Sequence, residues 1–336
     1  MSALLCNRPI IFALPMPYRL LIVCFLLTLG STSCKKDVLH WQKAQQLSSH
    51  TTHRLNRIFF VNDTLGYIVG GDRFYAADIL TTHDGGYNWQ QQSFPEAGKE
   101  LFGITQTSDG TLYTVGFDGK LLSSSDQGKT WLFRQLDYAP YKAIVANRSD
   151  HLLLAGGISF ESGFTEQMDQ GGNHLTSNVY NYELNDMVLL ADGTGYISGY
   201  GAMMKTKDDG AHWQLQDLTK DNFTAVDVQQ ANNVWTCGYG GSIYHSGNGG
   251  DSWELKRNGN DLTKPRYHLQ DILFTDAING YAVGENGLVI YTDDAGDHWS
   301  ELDRFTSETL YNIVRCPNGD LLVCGNGGSL YRLLKK

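Results

Sequence analysis

An all-β chain, folded as seven four-stranded units closed in a ring, is what this sequence predicts, and three recurring phrases predict it. The first is a box of a small hydroxylated residue, an acid or Asn, a glycine and a tryptophan at fixed spacing. It reads Thr82, Asp84, Gly86, Trp89; Ser124, Asp126, Gly128, Trp131; Thr206, Asp208, Gly210, Trp213; Ser246, Asn248, Gly250, Trp253; and Thr292, Asp294, Gly296, Trp299. The second is an apolar run closed by glycine, at Gly70, Gly116, Gly156, Gly199, Gly238, Gly284 and Gly325. The third, just before it, is an apolar pair three residues apart: Leu55/Ile58, Leu101/Ile104, Tyr141/Ile144, Leu184/Met187, Phe223/Val226, Leu269/Ile272 and Leu310/Ile313. Successive box tryptophans are 42, 82, 40 and 46 residues apart, so the gap of 82 hides one unit without a proper box. A period of about 40 residues marks a repeat architecture, and the two strand phrases count seven repeats.

The elements of one unit follow in order. The apolar pair marks a first strand, and a polar turn such as Ser108, Asp109 and Gly110 leads to the Gly-closed second strand. A Gly-rich turn such as Glu285, Asn286 and Gly287 precedes a third strand, Leu288 to Thr292 in that unit. The box makes the next hairpin, and its Trp opens the fourth strand. Four short antiparallel strands joined by tight turns are the blade of a β-propeller. The last unit stops at Leu333, Leu334, Lys335 and Lys336 with no box and no fourth strand. The missing piece is at the other end, where His40, Trp41 and Gln42 copy His212, Trp213 and Gln214. The predicted fold is therefore a seven-bladed β-propeller whose N-terminal strand, within 40–48, closes the last blade and leaves no open sheet edge at the seam. Two stretches exceed the repeat, 157–183 and 256–268, and read as long surface loops of the kind that carry binding.

The start of the chain gives an address. Arg19 precedes an apolar run from Leu20 to Leu29, and Gly30, Ser31, Thr32 and Ser33 lead to Cys34. A positive flank, a short apolar segment and small residues are a secretory signal, too short to span a bilayer. Cys34 after small residues resembles the lipobox of bacterial lipoproteins, with Ser31 where Leu is usual. The organisation expected is a lipoprotein signal peptide over 1–33, a linker over 34–39 anchored by lipid at Cys34, and a single propeller over 40–336. The protein is then an envelope lipoprotein, periplasmic or outer-membrane, held to the membrane by its acyl chains alone. Cleavage removes Arg8 and Arg19 from 26 basic residues and none of the 36 acids, so 24 against 36 gives a mature charge of −12. With that balance and no basic run interleaved with aromatics, nucleic acid is excluded as a partner. Cys237, Cys316 and Cys324, an odd and dispersed set, read as buried thiols.

The boxes carry structure rather than chemistry. Asp84, Asp126, Asp208, Asn248 and Asp294 accept backbone N–H groups across a hairpin, glycine takes a positive φ, and Trp89, Trp131, Trp213, Trp253 and Trp299 pack between blades. One acid per blade at the periphery is no catalytic set. Asp293, Asp294 and Asp297 lack EF-hand spacing, His50 and His53 lack further ligands, and no Walker loop or nucleophile elbow occurs, so neither metal nor cofactor is implied. The axis is the better site. In a propeller the first strands line the central channel, and the residues after each leading apolar position form a polar collar: Asn56, Arg57, Lys142, Asn185, Asp186, Gln270, Asp271, Tyr311 and Asn312. Convergent polar groups at a concave centre are the default binding site.

The box, the Gly66-Tyr67, Gly195-Tyr196 and Gly280-Tyr281 strands and the sevenfold count resemble Asp-box (bacterial neuraminidase repeat) propellers. Over residues 40–334 the chain is most similar to the photosystem II stability/assembly-factor-like family. That resemblance implies a non-enzymatic propeller that helps assemble or stabilise membrane complexes. The family's members use an arginine-rich patch, whereas the twelve arginines of this chain are scattered along it. The expected function is a lipid-anchored scaffold binding an envelope protein partner. The competing reading is a glycan-active enzyme or carbohydrate binder, sialidase-like or xyloglucanase-like, since such enzymes share the box. A sialidase needs several arginines, a Tyr nucleophile with its Glu, and an acid. The aligned collar supplies one Arg, with Asp186 and Asp271 as the available carboxylates.

Overall fold

The computed structural model describes residues 43–263 and 265–334. The signal segment, Cys34 and Trp41 lie outside the described residues. Seven four-stranded antiparallel sheets follow one another along the chain, over 54–93, 101–135, 141–180, 184–215, 223–257, 269–301 and 310–334. The last of these has three strands of its own, and its fourth is Lys43–Gln46. That strand pairs antiparallel with Leu330–Leu334, Lys43 opposite Leu334 and Gln46 opposite Tyr331. The seven-bladed propeller and its N-terminal closing strand are as the sequence predicts.

Each blade's second strand is buried on both faces, as in Leu112–Gly116 and Leu321–Gly325. The closing glycine of that strand has a steric cause. A Cβ on Gly70, Gly116, Gly156, Gly199, Gly284 or Gly325 would run into the carbonyl oxygen of the residue just before the blade's leading apolar position, Glu100 in the case of Gly116. Only a side chain without Cβ lets those two backbones meet.

The boxes form one repeated geometry. In blade one Thr82 Oγ1 donates to Asp84 Oδ1 at 2.8 Å and accepts Gly86 N at 3.0 Å. Asp84 Oδ1 accepts the backbone N–H of Tyr87 and Asn88, and Trp89 Nε1 donates to Gly86 O at 3.2 Å. Two successive residues take positive φ, Gly85 at 73° and Gly86 at 85°. The residue before the Trp also closes onto the box acid: His212 Nδ1 lies 2.7 Å from Asp208 Oδ2, and His298 Nδ1 the same from Asp294 Oδ2. These repeated histidines are hairpin parts. Each tryptophan packs onto the blade before its own. Trp131 meets Tyr67 edge-on with ring centroids 6.4 Å apart, and Trp89 joins the cluster holding Leu322, Cys324 and Leu330 of blade seven. Cys237, Cys316 and Cys324 are free, buried thiols.

Two departures concern sequence regions that the repeat phrases did not cover. The stretch 157–183 is no loop: it contains two seven-residue strands, Ser162–Met168 and His174–Tyr180. Its turn is a worn box. Asp169 Oδ1 still accepts the N–H of the residue four along, Asn173, at 2.8 Å, but Gln167 and His174 stand where the hydroxyl and the Trp would be. His53 is not a free solvated side chain, since its Nδ1 lies 2.7 Å from Asp78 Oδ2.

Candidate functional site

All seven first strands carry a β-bulge at the same place, one residue after the leading apolar position. The pairing skips Asn56, Phe102, Lys142, Asn185, Thr224, Gln270 and Tyr311 in turn. A bulge re-aims the extra side chain. All seven line one cavity of about 630 Å³, at the end of the molecule where the first strands begin.

Several of these side chains also stitch neighbouring blades. Asn56 Nδ2 donates to Leu101 O at 2.7 Å, Asn185 Nδ2 to Phe223 O at 2.9 Å, and Thr224 Oγ1 to Leu269 O at 3.1 Å. The following position does the same with acceptors. Asp186 Oδ2 accepts Val226 N at 3.2 Å, Asp271 Oδ2 accepts Ile313 N at 2.9 Å, and Asn312 Oδ1 accepts Ile58 N at 2.9 Å. Eight of the nine collar residues line the cavity. Asn312 does not. It is buried, and its Nδ2 donates to Asp271 Oδ2 at 2.6 Å, so it belongs to the wall between blades six, seven and one.

The charges of the cavity are engaged with one another. Arg57 reaches across the axis to Asp186 Oδ1 at 2.5 Å, and the Asp186 carboxylate raises the Arg57 pKa above its ordinary value against the cost of burial. Lys142 Nζ lies 2.5 Å from Glu183 Oε1 and donates to Asn185 Oδ1 at 2.9 Å. Arg54 pairs with Glu100 at 3.4 Å and covers the Tyr311 ring at 4.3 Å. Burial pushes Asp271 up to about 7, with Asp186 nearby adding to the rise and Arg57 opposing it. Deep carboxylates here serve as acceptors for backbone N–H groups, and among the described residues no cluster of three or more His, Cys, Asp or Glu is placed to hold a metal.

Alignment of strand interiors missed four charged contributors. Arg54, Glu100 and Glu183 sit one residue before the leading apolar position of a first strand, and Arg73 sits on the turn between second and third strands. Arg54, Arg57 and Arg73, all of blade one, therefore converge on one cavity. This corrects the impression of scattered arginines. Arg73 lies over the rings of Phe117 at 4.8 Å and Phe74 at 5.6 Å. The same second-to-third-strand turns supply exposed aromatics around the mouth: Phe74, Tyr75, Phe160, Tyr200 and Tyr239.

Known proteins share this plan. The family model described as photosynthesis system II assembly factor YCF48 matches residues 219–291, spanning blade five and most of blade six. The photosystem II assembly lipoprotein Ycf48 of Synechococcus sp. (strain CC9902) is 23% identical over 290 residues, covering 82% of this chain and 83% of that protein. The chain is a BNR-repeat propeller similar to these YCF48 proteins. Among solved structures, YCF48 from Cyanidioschyzon merolae superposes with a TM-score of 0.67 at 16% identity, covering 87% of this chain and 98% of the other. YCF48 bound to D1 peptide gives 0.67 at 17% identity, with 88% and 95% covered. At these identities the structural likeness speaks for the fold.

Proposed function

We propose that this Ycf48-like propeller is a non-enzymatic scaffold that grips a segment of a protein partner at the mouth of its axial cavity, and so helps assemble or stabilise an envelope complex. The observation that carries the reading is the cavity itself. It is open, about 630 Å³ in volume, polar at its base, and its buried charges are already paired as parts of the wall. Such a base offers backbone-like hydrogen bonding to a guest, while the rim aromatics offer flat apolar surface, a combination suited to protein recognition. Support comes from relatives described as assembly lipoproteins and from a YCF48 solved with a D1 peptide. Lipidation at Cys34 would hold the propeller at the membrane, periplasmic or outer-membrane, where its partner would be an envelope protein.

A photo-crosslinking side chain at Tyr75, on the rim, tests this in cells. One discrete adduct with a membrane or envelope protein is expected, absent when the same probe replaces Ile278, which lies at the opposite ends of the strands. Adducts of equal pattern from both positions would defeat the proposal. The glycan reading is tested beside it: turnover of a chromogenic glycoside, lost on Arg57→Ala, would replace the scaffold by an enzyme.

A further inference from the structure

The outermost strand of blade three, His174–Tyr180, is unlike its counterparts. It ends its sheet, so one of its backbone edges faces outward, and six of its seven residues are exposed. The fourth strands of the other blades have two to four residues: Gln90–Ser93, Leu132–Gln135, Gln214–Leu215, Glu254–Arg257, Ser300–Glu301 and Lys43–Gln46. Proteins shield exposed edges by shortness, charge or proline. This edge has none of these, and its one irregularity is a bulge at Leu175 near its start. From Asn173 to Tyr182 there is no Asp, Glu, Lys, Arg or Pro, in a chain of net charge −10. The strand is also rich in β-forming residues, and Leu175 and Val179 stand out from it at 47% and 79% exposure.

The order of residues says what would cover it. An antiparallel copy of the strand, related by a two-fold axis at Ser177, places Leu175 opposite Val179 twice and Thr176 opposite Asn178 twice. Ser177 and Val179 share one face and Leu175 is the extra residue of a bulge beside them, so each copy brings its exposed Leu175 up to the exposed Val179 of the other. Isologous contacts of this kind are the commonest way chains dimerise. Elsewhere on the surface an acidic chain repels itself, but this segment brings no like charges together. We infer that the blade-three edge is a self-association surface, at which two copies of the chain join their outer strands antiparallel about Ser177 into one continuous sheet.

Cysteine scanning in the full chain, expressed in cells and oxidised with copper phenanthroline, tests the register. Two thiols at the two-fold lose their hydrogens to the oxidant and form one disulfide, since residues facing across antiparallel strands lie within disulfide reach. Ser177→Cys should convert most of the chain to a covalent dimer. Leu175→Cys and Val179→Cys should each stay monomeric alone and crosslink when co-expressed. Ser252→Cys, exposed on blade five, measures random collision. Ser177→Lys, which opposes two like charges, should abolish any dimer seen for the unmodified chain by sedimentation while leaving the melting temperature unchanged. A dimer yield from Ser177→Cys no greater than from Ser252→Cys, or crosslinking of Leu175→Cys and Val179→Cys that does not depend on mixing, overturns the inference. So does an unmodified chain that sediments as a monomer throughout, which would leave the edge to a strand from another protein.

Discussion

A single methyl group probes the inner seam of a blade. Gly116→Ala drives a Cβ into the Glu100 carbonyl and the adjoining Leu101 Cα, and should cost about 2–4 kcal/mol, read as a lowered midpoint in thermal or denaturant unfolding. A second residue-scale prediction concerns Asp271. Its carboxyl holds its proton up to about pH 7 in the folded state against 3.8 when free, because burial penalises the charge. The stabilisation from this group is full below about pH 4, falls as pH rises through 4 to 7, and is flat above. Asp271→Asn removes the titration, so the stability difference between the natural chain and the variant should change with pH across that window and nowhere else. A difference independent of pH from 4 to 7 would contradict the assignment. At this scale the sequence was partly legible. Alignment of first strands found the polar residues that reach the cavity, because the bulge recurs at one alignment position. It placed Asn312 among them because nothing in one residue's identity reveals that its amide is spent between Asp271 and Ile58.

The element that repeats most faithfully is the box hairpin, and its tryptophan is the piece that leaves its own blade. Trp131→Ala should cost about 3–5 kcal/mol, since it opens a void beneath Tyr67 and Phe94 of blade one. Replacement of Asp126, which is half-exposed, should cost less, because the N–H groups it accepts can turn to water. Comparison of the two variants by calorimetry separates interblade packing from hairpin closure. Box, glycine and strand phrases were readable because each answers a local demand: an Asx acceptor, a carbonyl in contact, a buried face. Blade three was not readable in the same way. Its Asp169 and Asn173 keep the turn without Ser, Thr or Trp, so the phrase that signals a hairpin was gone while the hairpin remained. Strands longer than the repeat then looked like a loop.

Over the whole molecule, the ring is held where its two ends meet. Beside the closing strand, Arg332 is fully buried, donates to Gly85 O at 2.7 Å and to Asp320 at 3.1 Å, and lies 3.8 Å over the Tyr87 ring of blade one. Lys205 sits in the same register in blade four and reaches Gly249 O of blade five, so the seam uses an ordinary interblade contact. Deletion of 40–48 should abolish a single cooperative unfolding transition or lower its midpoint greatly, and Arg332→Ala should destabilise by about 3 kcal/mol or more by stranding its partners. An unchanged transition for the deletion would break the account of closure. The seam was foreseeable because the fourth strand of a blade was absent from one terminus and surplus at the other. Convergence of Arg54, Arg57 and Arg73 was not, because it rests on the pairing of Arg54 with Gly71 within blade one and on the bulge between Leu55 and Arg57. The pairing of Gln46 with Tyr331 also imposes an order in time. During synthesis the opening strand is made before its partner exists, and almost the whole polypeptide must be finished before it can dock. Any product cut short ahead of its final strand is thereby left with an unmated ribbon at each end, a visible mark for proteases that inspect newly made chains.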